Sequence, residues 1–200
     1  MKTPNSIRNL ADSLAKLPGI GPRQAFRIAY FLAGKGKDNV LPMAKNLAEI
    51  VKLKTCSKCF SSYEEESKLC PICSDSRRNS GIIAIVEKET DVASIESAGN
   101  YTGIYFIIGE IKKTGGLNPE ERRRLDSFKE NLQRDYPEGA EEIIIGFNNT
   151  AYGDIGRSLI LKELKPYAKK ITSLGRGIPT GGEVEFADPE TLAEALKGRN

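Results

Sequence analysis

The stretch Ile82-Ile83-Ala84-Ile85-Val86-Glu87 runs five apolar residues, four of them β-branched, directly into a carboxylate. A strand that is apolar on both faces is buried on both faces, as in a parallel sheet covered by helices. Two further runs have the same texture, Ile104-Tyr105-Phe106-Ile107-Ile108 and Ile143-Ile144-Ile145. Helical periodicity separates or follows them over residues 91–98, 119–135 and 154–165, and the chain continues with a strand near Ile171–Leu174 and a last helix over 189–197. Such alternation predicts an α/β fold with a parallel sheet and right-handed crossovers. Sites in these sheets gather at the carboxyl ends of the strands, where Glu87 stands with Glu89 and Asp91 close behind.

Upstream of this sheet all four cysteines of the protein lie in one short segment, Cys56-Ser57-Lys58-Cys59, then ten residues, then Cys70-Pro71-Ile72-Cys73. Residues 55–80 carry too few apolar side chains to form a core, so something other than hydrophobic burial must order them, and the segment reads as an independent clip. Two Cys-x-x-Cys knuckles supply the four thiolates of a closed tetrahedral zinc site, which leaves no position for a substrate and so assigns the ion a structural role. Disulfides are the rival reading. They fit poorly with the cytosolic setting expected of a chain with no apolar run long enough to span a bilayer and no signal-peptide pattern at its start.

Further upstream, Ile7, Leu10, Ala11, Leu14 and Leu17 recur three and four apart and predict an amphipathic helix from Ser6 to Leu17. Pro18-Gly19-Ile20-Gly21-Pro22 stops it. A second helix follows through Ala25, Ile28, Ala29 and Leu32 to about Gly34–Gly36, and a third is expected from Leu41-Pro42-Met43 to about Lys54. Glycines at 19 and 21 let the backbone turn tightly and approach a ligand, with Ile20 plugging the core beneath. The free N–H groups at the start of the second helix suit a phosphate oxygen, and Arg23 and Arg27, one turn apart on the same face, can grip the same polyanion. This is backbone contact without base reading. A bare helix-turn-helix connector with solvated arginines is the plain alternative.

Charge divides along the chain in the same way. Residues 1–54 hold ten Lys/Arg against three Asp/Glu, whereas residues 81–200 hold sixteen against twenty, within an overall net charge of +3. A basic block joined to an acidic one fits a polyanion-binding module attached to a part that meets another partner. The protein contains no histidine, which removes Ser/His/Asp triads, Cys/His dyads and imidazole proton shuttles together.

Three resemblances follow from these residues. Leu17 to Arg27 resembles a helix-hairpin-helix motif. The strand ending at Glu87 and the later run Ile143 to Asp154 are similar to the Toprim fold, in which a Glu after the first strand works with an Asp-x-Asp pair after a later one to hold Mg²⁺ for phosphoryl transfer. Here Asn148 and Thr150 stand at the two aspartate positions, so the anionic oxygens of a dedicated Mg²⁺ centre are missing and no catalytic residues are expected. Taken in order, Leu17 to Arg27, the two knuckles with Arg78, Val86-Glu87 with Asp91, and the tail Arg176-Gly177-Ile178-Pro179-Thr180-Gly181-Gly182-Glu183-Val184-Glu185-Phe186 resemble the RecR family of bacterial recombination mediators.

That resemblance implies four segments: a helix-hairpin-helix DNA-binding domain (1–54), a four-cysteine zinc finger (55–80), a Toprim domain (81–172) and a C-terminal strand-helix segment often called Walker B-like (173–200). No Gly-Lys-Ser/Thr phosphate loop accompanies the last, so no ATPase is inferred. The resemblance further implies a non-enzymatic, cytoplasmic, nucleoid-associated protein that binds single- and double-stranded DNA as a dimeric or tetrameric ring. It would act with RecO, and in some lineages RecF, to load RecA onto strands coated by single-strand-binding protein. Gly19, Gly21, Arg23 and Arg27 would contact DNA, Cys56, Cys59, Cys70 and Cys73 would hold Zn²⁺, and Glu87, Glu89, Asp91 and Asp154 would meet the partner, with Glu96 in the same acidic cluster. A Toprim-type metal-dependent nuclease or primase is the alternative from a different class, and a zinc-ribbon RNA-binding module a third. The chain departs from the family's usual Asn-Pro-Thr-x-Glu-Gly-Glu at Asn148–Asp154, losing an acid at Tyr152 and shortening another, and again at Gly109–Thr114.

Overall fold

A computed structural model describes residues 3–111 and 116–199. The chain divides into two compact units, one ending at Leu53 and the other beginning at Lys54. Lys112, Lys113 and Thr114 of the divergent stretch lie outside the described residues.

The first unit is helical: α1 (Asn5–Leu14), α2 (Pro22–Gly34) and α3 (Lys37–Glu49), followed by a single 3₁₀ turn, Ile50–Lys52. The third helix starts four residues before the expected Leu41, because Pro42 sits inside it instead of opening it. Asp38 in its first turn favours the positive end of the helix dipole. The core of this unit is small, consisting of Ala11, Ala25 and Ala29, with Ile7, Leu14, Ile20 and Phe26 packed around them. Alanine at these positions brings α1 and α2 close together. No residue of α3 is buried.

The second unit begins with a two-stranded antiparallel ribbon, β1 (Lys54–Thr55) and β2 (Ser62–Tyr63), and the one-turn helix α4 (Pro71–Ser74). The sheet follows: β3 (Asn79–Val86), α5 (Glu89–Ser97), β4 (Gly103–Ile107), α6 (Pro119–Asp135), β5 (Glu142–Gly146), α7 (Ala151–Leu164), β6 (Ile171–Ser173) and α8 (Pro189–Lys197). All four sheet strands are parallel, in the order β4-β3-β5-β6. The expected strand–helix alternation is therefore present, with α6 and α8 at the predicted limits and α5 and α7 starting two and three residues earlier than predicted.

The main core lies on one face of the sheet. It joins Ile83, Ile85, Phe106, Ile143 and Ile145 to Leu125, Phe128 and Leu132 of α6 and to Ile160 and Leu164 of α7. Phe106 and Phe128 stack with ring centroids 4.1 Å apart. A smaller cluster on the other face gathers Ala84, Val86, Tyr105 and Ile107 under Val92 of α5. Burial of both faces explains why these strands read as unbroken apolar runs. Asn118 and Glu121 start α6 with reciprocal bonds. The Asn118 side chain accepts from the Glu120 and Glu121 N–H groups at 2.8 and 3.0 Å, and Glu121 accepts from the Asn118 N–H at 2.7 Å.

Candidate functional sites

The hairpin between α1 and α2 is built as an exposed backbone edge. Gly19 has φ +79°, a left-handed conformation that a side chain would strain. Gly21 is the N-cap of α2, with Pro22 as first helical residue, and no side chain caps the helix. The first N–H groups of α2 therefore have no side-chain partner. A Cβ at either glycine would meet no atom within 4 Å, so both backbones face open space. Ile20 turns inward onto the alanine core, as the sequence predicts. Arg23 and Arg27 are both exposed. Among the described residues neither has a carboxylate within salt-bridge distance, so both are available to an anion.

The four cysteines come together. Their sulfurs all lie within 4.8 Å of one another, and Cys56, Cys59 and Cys70 are buried. A zinc tetrahedron with arms of about 2.3 Å has edges of about 3.8 Å, so the cluster has the dimensions of the ion's coordination shell. Backbone N–H groups of Ser61, Cys70 and Cys73 point at the sulfurs of Cys59, Cys56 and Cys70 at 3.4–3.5 Å. These dipoles favour thiolate over thiol. Crowded together, the thiols share their protons unevenly. Hydrogen bonds from Cys59, Cys70 and Cys73 hold Cys56 below the ordinary thiol value, whereas hydrogen bonding to Cys56 pushes Cys59 and Cys73 up. A divalent cation relieves that competition by taking the place of the protons.

This segment is not an independent clip. The Ile107 N–H donates to the Cys59 carbonyl at 2.9 Å, so the first knuckle covers part of the outer edge of β4. Phe60, held at φ +65°, sets its ring edge-on against Phe106 with centroids 5.8 Å apart, and the Arg124 guanidinium lies 5.2 Å from the centroid of the Phe60 ring. Arg78 completes the docking. It pairs with Glu96 and donates to the Gly103 carbonyl at 2.9 Å, while the Tyr105 hydroxyl donates to Glu96 at 2.5 Å. The Arg78 guanidinium, followed by the tyrosine hydroxyl, holds the Glu96 carboxyl below its ordinary value.

The acidic residues at the carboxyl end of the sheet do not form one patch. Strand β3 neighbours both β4 and β5, and Glu87 and Asn148 stand where the β3–β5 pair ends, at the topological switch point of the sheet. Glu87 is 6% exposed. It accepts from the Ile111 N–H at 3.3 Å, the Asn148 N–H at 3.3 Å and the Asn148 side-chain amide at 2.7 Å. Its expected place in a surface handle is thus corrected, since burial and three donors make it an internal acceptor. Glu89 accepts from the Ser62 backbone and hydroxyl at 3.1 and 2.8 Å, tying α5 to the cysteine segment. Asp91 accepts from the Lys88 N–H at 2.9 Å at the start of α5. Glu96 is engaged with Arg78. Asp154 pairs with Arg157 at 3.0 Å and with Arg176, which also reaches Glu190 at 3.8 Å and so fastens the C-terminal segment to α7. Thr150 caps α7, accepting from the Gly153 N–H at 3.1 Å, and Tyr152 is exposed beside it. Sequence reasoning did not single out Phe60 or Arg176 for these contacts. The only local sign of Phe60's role is a large aromatic directly after a Cys-x-x-Cys pair.

A hairpin suited to phosphates, a four-cysteine cluster able to hold a metal ion and a four-stranded parallel sheet with an acid at its switch point define a modular α/β protein. Three protein-family models match parts of the chain. Residues 7–51 match "RecR, helix-hairpin-helix", residues 81–175 match "Toprim domain" and residues 177–200 match "RecR, C-terminal". The chain belongs to the RecR family, whose domains are those of DNA recombination and repair. Among the described residues, no helix is long and apolar enough to cross a membrane.

Proposed function

We propose that the protein is a non-enzymatic recombination mediator that grips the DNA backbone through Gly19, Gly21, Arg23 and Arg27, assembles with copies of itself, and acts with RecO, and RecF where present, to load RecA onto coated single strands at the nucleoid. The observation that carries this reading is the uncapped N-terminus of α2, framed by two glycines facing open space and by two exposed arginines. Phosphate oxygens fit such an edge, and nothing in it reads base identity. One hairpin reaches few phosphates, so affinity would come from several copies held together. Apolar surface on the helical unit supports assembly. Leu41, Met43 and Leu47 of α3 are exposed, as are Ile50 and Val51 after it, and a groove of about 400 Å³ lined by Ile7, Leu10, Leu32, Val40 and Leu41 opens between the helices.

Zn²⁺ is the ion we assign to Cys56, Cys59, Cys70 and Cys73, since a closed four-thiolate shell is its preferred structural site. The chemistry it would supply there is structural: four thiolates on one ion would tie the two knuckles together around the small cluster of Tyr63, Leu69 and Ile72, while Phe60 and the Cys59 carbonyl rest against the sheet. We divide the chain into the working segments 1–54, 55–80, 81–172 and 173–200, and assign the partner contact to the sheet's carboxyl end, around Glu89, Asp91 and Asp154, where Tyr152 and Ile155 are also exposed.

Replacing Arg23 and Arg27 together by Ala tests the assignment. Fluorescence anisotropy with single- and double-stranded DNA of several sequences should report a uniform loss of affinity, with the salt dependence flattened per lost phosphate contact on each subunit by about 0.9 on duplex and about 0.7 on single strands. Unchanged affinity removes the hairpin from the interface. Metal-dependent cleavage of DNA, abolished by Glu87→Ala, would instead favour the Toprim nuclease reading.

A further inference from the structure

The fold implies a Mg²⁺ site at the carboxyl end of β3, and the residues present do not fit one. A dedicated magnesium site needs anionic oxygens facing an open position. Here the acid is buried and its nearest side-chain neighbour is a donor. The Asn148 amide points an N–H at Glu87 from 2.7 Å, so the side chain facing the acid is a donor and not a second carboxylate able to help hold a cation.

We infer that the Asn148 side-chain amide replaces the divalent cation at this end of the sheet, fixing the loop after β5 and the start of α7 without a metal and barring one from Glu87. Three observations converge. Both carboxylate oxygens of Glu87 are already satisfied by N–H donors from two separate connections, the one after β4 at Ile111 and the one after β5 at Asn148. The Asn148 carbonyl carries the restraint onward, accepting from the Thr150 N–H at 2.9 Å. That carbonyl also lies so close to Gly153 that a Cβ there would approach it to 2.0 Å, so Asn148, Thr150 and the first turn of α7 are locked together. A buried carboxylate is costly unless paired or fully hydrogen-bonded, and the amide meets that requirement with no net charge.

The substitution Asn148→Asp converts the donor into a second carboxylate facing the buried Glu87. Like charges at this separation demand a proton or a cation between them. The test compares wild type, N148D, N148A, E87Q and the double variant E87Q/N148D, using Mn²⁺ binding followed by electron paramagnetic resonance and thermal melting with and without MgCl₂. No chelator is added, so the cysteine cluster is left intact.

Wild type should show no Mn²⁺ binding that depends on Glu87 and no Mg²⁺ shift in melting temperature. N148D should melt lower than wild type without Mg²⁺, recover in its presence, and bind Mn²⁺ in a manner lost in E87Q/N148D. N148A should melt lower and ignore Mg²⁺. Mn²⁺ binding by wild type that E87Q abolishes would overturn the inference. So would an N148D protein no more responsive to Mg²⁺ than N148A, or one that fails to fold with and without Mg²⁺. The inference rests on the non-catalytic reading above, and the two fail separately. Cleavage of DNA that survives E87Q would sink that reading alone, whereas a Glu87-dependent Mn²⁺ site without cleavage would sink this inference alone.

Discussion

The helical unit and the sheet unit spend their apolar residues in opposite ways. In the sheet unit, aromatic and β-branched side chains from four strands and two helices close over one another, and Phe106, Ile85 and Leu125 have essentially no exposed surface. The helical unit hides three alanines and leaves Phe31, Leu47 and Val51 in the open, Val51 at 85% exposure. Each buried leucine or isoleucine contributes about 1.5–3 kcal/mol, so the sheet unit has ample means to stabilise itself whereas the helical unit leaves much of its apolar surface uncovered. The unit proposed to hold DNA is therefore also the one with surface to spare for a second copy. The sheet unit closes its own core, and its exposed apolar residues, Val184, Phe186 and Leu196 among them, lie outside it.

Metal removal gives the largest expected effect on this contrast. Structural zinc in a four-thiolate site contributes on the order of 10–16 kcal/mol of folding free energy, comparable to the whole stability of a typical domain. Cys70→Ser should abolish stoichiometric zinc, measured by atomic absorption, and strip hydrogen-exchange protection from the Ile107 N–H and β4, while amides near Ala25 and Ala29 keep theirs. Equal loss of protection in both units would erase the distinction drawn between them.

Side-chain truncation sharpens the comparison at a smaller scale. Phe106→Ala removes the ring that stacks on Phe128 and meets Phe60, and should cost about 3–5 kcal/mol in urea unfolding. Leu47→Ala, at 68% exposure, should change the stability of an isolated subunit by less than about 0.5 kcal/mol yet shift sedimentation toward smaller species. A Leu47→Ala protein with unaltered self-association would remove α3 from the proposed contact.

The smallest effect concerns acid. Because the folded-state value of Glu96 lies below its unfolded one, its pairing with Arg78 stabilises fully above the ordinary carboxylate range and is lost as pH falls through the depressed value. Arg78→Gln should cost about 1–2 kcal/mol at neutral pH and flatten the fall in stability across that acid window. Chemical denaturation at stepped pH measures both. A wild-type curve already flat through the window would show that the clamp contributes nothing.

Much of this was legible in the sequence where the signal was local. The cysteine spacing, the glycine-framed hairpin and the apolar strands each report geometry set within a few residues, and the structure holds them where the sequence put them. The sequence places the start of α3 at Leu41 because Pro42 resembles a first-turn proline, whereas the helix begins at Lys37 and tolerates Pro42 one turn further in. The acidic residues misled for a different reason. Glu87, Glu89 and Glu96 are close in sequence, but their partners Ile111, Asn148, Ser62 and Arg78 are brought to them by the sheet and the cysteine segment, and only Asp91 bonds locally, to Lys88.

From the sequence alone came the parts: four thiols able to share an ion, helices and strands of definite face and length, a basic amino end free of histidine chemistry, and an amide and a hydroxyl where a metal site needs acids. Only tertiary structure decided what those parts meet. The knuckle docks on β4 through Phe60, Arg176 fastens the C-terminal segment to Asp154, and Glu87 faces an amide 61 residues away. Periodicity and spacing fix conformation because they act through backbone geometry between near neighbours. Partner choice across tens of residues is settled by packing, where burial and the need to satisfy every hidden charge act together.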